Sequence, residues 1–170
     1  IFAALSGPTA FMQRVPWVRG DLRSPLLFAI SCGVIAALAV LLQLLFSPQA
    51  TATLPGTTVP IPAAMMVLAP ALPLFIIVQV FFQAGLGHLL FSLFDADTQR
   101  PFESTFRLYA YSQVALIAWW VPFLGQYLET FYTVFLVLAG ARALRGRRFG
   151  VGLLALTPVM IGRMLIPFAA

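Results

Sequence analysis

The chain alternates between long uncharged apolar runs and short segments that hold nearly all of its charge. Residues 26–46 carry only Ser31 and Gln43 as polar members. A helix needs about 20 such residues to cross the hydrocarbon core of a bilayer. Pro48 closes this first span, because proline has no N–H with which to continue the ladder. Residues 49–62 are uncharged but include Pro55, Pro60 and Pro62, which predicts a loop outside the bilayer. The apolar run 63–94 is too long for one straight span and is divided by Pro70 and Pro73. It reads as an interfacial turn over 63–69 followed by a second span over 72–94; a single helix kinked by both prolines is the alternative. Asp95, Asp97, Arg100 and Glu103 mark the next loop, and Glu103 or Ser104 is placed to cap the helix that starts after Pro101. The third span then covers 105–121, with Trp119 and Trp120 at its far interface. A turn at Pro122-Phe123-Leu124-Gly125 leads into a fourth span over 126–144, and the fifth covers 151–168 with Pro158 in its middle. Residues 1–25 mix Arg14, Arg19 and Arg23 with Phe11, Val15 and Trp17, as an interfacial arm would. The chain begins at Ile1 rather than methionine, so the arm is expected to continue upstream. The pattern predicts an all-α integral membrane protein, a five-helix membrane domain over 26–170 behind that arm.

Composition agrees with this pattern. Hydrophobic residues make up 61% of the chain and charged ones 9%, with a mean hydropathy of +0.98. A soluble domain carries roughly a quarter charged residues. The net charge of +5 is that of ten arginines against five acidic residues. With five spans, every arginine except Arg163 falls on one side, and the positive-inside rule puts that side in the cytoplasm, the N-terminus in and the C-terminus out. Because the arginines flank apolar runs, they are read as topology signals and not as a nucleic-acid surface. The absence of lysine and asparagine points to a GC-rich bacterial genome, and so to a multi-pass protein of the bacterial inner (cytoplasmic) membrane. A lone cysteine, Cys32, forms no disulfide within the chain.

Four features resemble the Yip family, named for interaction with Ypt/Rab GTPases. They are Gly85-Leu86-Gly87-His88-Leu89-Leu90 at the end of the second span, the stretch Phe102-Glu103-Ser104-Thr105-Phe106-Arg107-Leu108-Tyr109-Ala110-Tyr111, the turn Pro122-Phe123-Leu124-Gly125, and the basic loop 140–150 before a last span containing Pro158. Asp21-Leu22-Arg23-Ser24-Pro25 keeps the Asp, Leu and Pro of the stretch that eukaryotic members carry before their first span. The resemblance implies a five-span membrane protein, here a bacterial member, with no assigned activity.

Polar residues at membrane depth are the candidate sites. His88 shares a helical face with Ala84, Ser92 and Asp95. It reads as a proton or headgroup site near the cytoplasmic interface, or as a histidine bonded to a neighbouring helix. Gln79 and Gln83 lie one turn apart and would serve as interhelical glue or as part of a polar path. Tyr109 and Tyr111 suit an interface on physical grounds and are candidates for partner binding. Arg142, Arg145, Arg147 and Arg148 are candidate anionic-lipid contacts, in addition to fixing topology. Glu129 and Arg163 fall at similar depth on adjacent spans and are candidates for an ion pair. With one histidine and one cysteine there is no metal cluster, and no nucleophile elbow, Walker loop or dinucleotide fingerprint occurs. No cofactor and no enzymatic activity are expected. The expected partners are the bilayer, anionic lipids and other membrane proteins. Two functional classes remain: a membrane scaffold or organiser, and a small transporter or lipid-translocating channel whose polar path would use Gln43, Gln79, Gln83, His88 and Gln113.

Overall fold

The computed structural model describes residues 7–14, 20–46, 51–54, 57–60, 71–94, 101–121, 124–145 and 149–164. Helices dominate: α1 (Pro8–Arg14), α2 (Arg23–Phe46), α3 (Leu72–Phe94), α4 (Phe102–Ser112), a 3-10 helix (Gln113–Trp120), α5 (Gly125–Arg145) and α6 (Phe149–Met164). Among the described residues two helices are long and apolar enough to cross a membrane, over Arg23–Gln43 and Pro73–Phe94. The elements agree closely with the apolar runs, with two exceptions. Within the stretch read as a loop, Thr51–Leu54 (β1) and Thr57–Pro60 (β2) pair antiparallel, Leu54 opposite Thr57. Threonine and valine favour the pleated conformation, and uncharged prolines and glycine do not exclude a hairpin as they exclude a helix. The third apolar run is not one α-helix: it changes to 3-10 geometry at Gln113. The last helix ends its described course at Met164, and the turn expected over 63–69 lies outside the described residues.

The packing is an open arc of helices around a filled centre. α2 packs on α3, α3 on α6, and α6 on α5; the rod formed by α4 and the 3-10 helix packs against α2, α3 and α5 from inside. The short helix α1 lies on α5, where Met12 is buried with Leu136 and Phe11 meets the rings of Phe28 and Tyr111.

Polar side chains of α4 are buried in the apolar core while many large apolar side chains face outward. α4 carries Glu103, Ser104, Thr105, Arg107, Tyr109 and Ser112, yet every residue from Ser104 to Ala110 is buried. Arg107 is 3% exposed, whereas Phe131 on the outside of α5 is 74% exposed. Leu74, Phe75, Val78, Phe82 and Leu89 on α3 also face outward. Water would penalise such a surface, because contiguous apolar patches of this kind are costly in soluble monomers. Lipid solvates it, and the polar groups gain by pairing inside.

Candidate functional site

The central rod gathers the polar chemistry. At its start Pro101 is extended, and its carbonyl accepts the Ser104 amide at 3.1 Å and the Ser104 hydroxyl at 2.7 Å. Ser104 therefore donates backward rather than capping the helix as the spacing suggested. Glu103 sits in the first turn, where a negative charge suits the helix dipole.

One turn on, Arg107 Nη2 donates to the backbone carbonyl of Asp21 at 3.0 Å. Asp21 in turn starts α2. Its carboxylate accepts the amides of Arg23 and Ser24 at 3.0 and 3.3 Å and the Ser24 hydroxyl at 2.6 Å. These are the donors that a helix start leaves without partners. Bonding from the Ser24 hydroxyl, then from the Ser24 amide, holds the Asp21 carboxyl below the usual carboxylate range, with a smaller attraction from Arg107. Among the described residues, Arg107 Nε is enclosed and meets no acceptor.

Tyr109 is fully buried rather than interfacial. Its hydroxyl donates to the Ala155 carbonyl of α6 at 2.9 Å, and its ring closes on Gly87, where a Cβ would lie 2.5 Å from the Tyr109 oxygen. Tyr111 is half-buried and packs edge-on to Phe11 and Phe28, with centroids at 5.5 and 5.1 Å. The two tyrosines are thus packing residues of the rod.

Where α4 becomes 3-10, the Gln113 amide bonds Ala110 in place of Tyr109. The Tyr109 carbonyl accepts the Ser112 hydroxyl at 2.8 Å and Gln113 Nε2 at 3.4 Å. Gln113 Nε2 also reaches Gln83 Oε1 of α3 at 3.4 Å, and both side chains are buried. At the other end of the 3-10 helix, Gln43 Nε2 of α2 donates to the Trp119 carbonyl at 2.6 Å. Gln83, Gln113 and Gln43 are therefore engaged in bonds between helices, and Gln79 is half-buried one turn from Gln83.

His88 lies half-buried on α3, edge-on to Phe102 with ring centroids 5.6 Å apart. Its Nδ1 is enclosed and has no hydrogen-bond partner among the described residues. Ala84 beside it is buried, and Ser92 is exposed with its hydroxyl on the Leu89 carbonyl at 2.8 Å. Asp95, Arg147 and Arg148 lie outside the described residues; Arg142 is exposed on the last turns of α5, and Arg145 ends that helix. Glu129 is buried and accepts the Thr133 hydroxyl at 2.9 Å. Arg163 lies on α6, which packs on α5 as adjacency in sequence implies, but its side chain is outside the description.

Three contacts had no counterpart in the sequence reading: the Arg107–Asp21 clamp, the Asp21 cap and the Tyr109–Ala155 bond. The cap had a local signal, an aspartate three residues before a serine at the head of an apolar run. The other two bridge segments far apart in sequence.

No curated protein and no solved structure matches the chain. The model of the Yip1 domain matches residues 2–170, a span that includes the Asp21 cap, His88, the central rod and the last helix with Pro158. Together with two helices of membrane-spanning length and an apolar exterior around a polar centre, this makes the chain a membrane protein belonging to the Yip1 family.

Proposed function

We propose that the chain is a five-span scaffold or organiser of the cytoplasmic membrane of a bacterium, acting by binding lipids and other membrane proteins and not by catalysis. The five spans are α2, α3, the rod, α5 and α6, with the N-terminus in the cytoplasm and the C-terminus outside. The observation that carries the reading is the pairing of Gln83 with Gln113 inside the bundle. Amides spent on one another, and Gln43 spent on a backbone carbonyl, are interhelical glue of the kind membrane bundles use. A transporter would need those groups turned toward a continuous polar route. The basic end of α5, with Arg142, Arg145, Arg147 and Arg148, supplies charge for anionic headgroups at about 1 kcal/mol each.

The test uses the full chain reconstituted in vesicles of phosphatidylcholine and phosphatidylglycerol. Labelled-lipid scrambling and ion flux should not exceed those of protein-free vesicles. Native mass spectrometry should show retained phosphatidylglycerol, which is lost when the four arginines are replaced by glutamine. Lipid or ion translocation that disappears in Gln83→Leu would overturn the scaffold reading in favour of the transporter.

A further inference from the structure

The 3-10 helix in the middle of the bundle is unusually long at 8 residues, Gln113–Trp120. Runs beyond about four residues are uncommon, because the hydrogen bonds are poorly aligned and side chains three apart eclipse. Something must hold this segment in place, and both of its ends are held. At the first end the Tyr109 carbonyl accepts the Ser112 and Gln113 side chains, and Gln113 is tied to Gln83. At the second end Gln43 holds the Trp119 carbonyl, and the start of α5 presses against the segment so closely that a Cβ at Gly125 would lie 2.7 Å from the Ala118 oxygen. One group opposes the arrangement. Trp119 Nε1 is enclosed without a hydrogen-bond partner among the described residues, a cost the present geometry bears.

Length decides what the alternative would do. The 11 residues of α4 span about 16 Å at about 1.5 Å each. The 3-10 helix adds about 16 Å at about 2.0 Å per residue. The rod is then about 32 Å long, against about 28 Å if it were α-helical throughout. These lengths lie on either side of the roughly 30 Å hydrocarbon thickness of a bilayer. Conversion to α would return the Gln113 amide to the Tyr109 carbonyl and displace both side chains from it. It would also turn Trp119 by about 120° relative to Gln113, at about 20° per residue, and withdraw its carbonyl from Gln43.

We infer that the Gln113–Trp120 segment exchanges between 3-10 and α geometry in response to bilayer thickness, so that the central rod is long in thick membranes and short in thin ones. The inference rests on the five-span reading, in which the rod crosses the bilayer. Mismatch between a span and its bilayer costs little per ångström, but it acts here on a segment of uncommon geometry that side-chain bonds hold at both ends and that leaves Trp119 Nε1 unpartnered among the described residues. A membrane organiser built this way would carry a thickness-dependent shape at its centre, presented to partners through the Trp119 end.

The test places spin labels at Glu103→Cys and Val121→Cys in the full-length Cys32→Ala chain. The chain is reconstituted in dimyristoleoyl-, dioleoyl- or dieicosenoyl-phosphatidylcholine. The distance between labels, read by pulsed dipolar spectroscopy, should shorten by about 4 Å from the thickest to the thinnest bilayer. With Gln43→Ala and Gln113→Ala added, the short distance should persist in all three. A distance that does not change with lipid, while an impermeant thiol reagent finds the two cysteines on opposite faces of the bilayer, overturns the exchange alone. Both cysteines on one face would overturn the five-span reading and the exchange with it.

Discussion

Tyr109 donates its hydroxyl hydrogen to the Ala155 carbonyl at 2.9 Å, three residues before Pro158 on the same helix. Pro158 has no N–H for the Leu154 carbonyl, and its ring pushes against that turn. The turn is therefore loosened where the tyrosine meets it. A buried phenol that needs an acceptor finds one on the helix turn that precedes the proline. The ring reaches α6 because Gly87 lets it pass α3. Three helices are joined by one side chain, and the residues responsible lie in three of the four sequence features that resemble the Yip family.

Replacing Tyr109 with phenylalanine keeps the ring and removes the bond. The expected loss is about 1 kcal/mol, the usual net worth of such a bond. Gly87→Ala should cost more, about 1–3 kcal/mol, because the neighbouring oxygen is anchored and cannot move aside. Thermal unfolding in detergent would rank the variants. A Gly87→Ala protein as stable as the parent would mean that α3 and the rod adjust freely.

The Asp21 cap predicts a pH dependence. Its folded carboxyl is held below the usual carboxylate range, mainly by its bonds from Ser24. A depressed carboxylate stabilises the fold fully above the unfolded value and loses that contribution as pH falls through the folded one. The difference in melting temperature between the parent and Asp21→Ala should be constant from neutral pH down to about the unfolded value and shrink below it. A difference that shrinks already between neutral and mildly acidic pH would assign the titration to another group.

The apolar spans were readable in the sequence because each depends on local composition and length alone. α2 was expected over 26–46 and is found over Arg23–Phe46; the run 72–94 is found unchanged as α3. The change to 3-10 geometry at Gln113 was not readable. It depends on Gln43 and Gln83, which approach from other helices, and the residues 113–120 are as apolar as any α-helical span. The tyrosines illustrate the same limit. An aromatic near a charged loop fits an interface by position, but Tyr109 is drawn inward by a glycine and a proline-bearing helix remote in sequence. His88 was legible as a polar residue at helix depth, whereas its approach to Phe102 follows from how α3 and α4 pair.

By sequence Arg107 counts only as a cytoplasmic-side charge beside the loop after the second span, yet it is buried and clamps the entry to α2. A hydrogen bond from a charged donor is worth about 1.5–3 kcal/mol, and removing the arginine strands the Asp21 carbonyl. Arg107→Met fills similar volume without the bond, and should destabilise by that order. Arg107→Lys should recover only part of the loss, since an ammonium lacks the fixed geometry of the guanidinium fork. Limited proteolysis offers a second measure: cleavage near Gly20 should accelerate in Arg107→Met. Equal cleavage in both proteins would mean that the arm is held by the aromatic contacts of Phe11 alone.

The orientation can be tested without a structure. Five spans place every arginine but Arg163 on the N-terminal side of the membrane. Moving a basic loop across a bilayer is strongly disfavoured when it is short and near the span ends, as the 145–150 loop is. Removing any of the first four spans would break this agreement by moving an arginine-rich segment across the membrane. A reporter active only in the cytoplasm should give signal when fused within 145–150 and none at Ala170, and a reporter active only outside should give the reverse. Cytoplasmic signal at Ala170 would remove α6 as a span. Exchanging Arg142, Arg145, Arg147 and Arg148 for glutamine should then weaken the orientation, producing mixed signal from both reporters, because those four hold the largest share of the basic charge on that side. An unmixed result in that variant would shift the weight of the orientation to Arg14, Arg19 and Arg23 in the N-terminal arm.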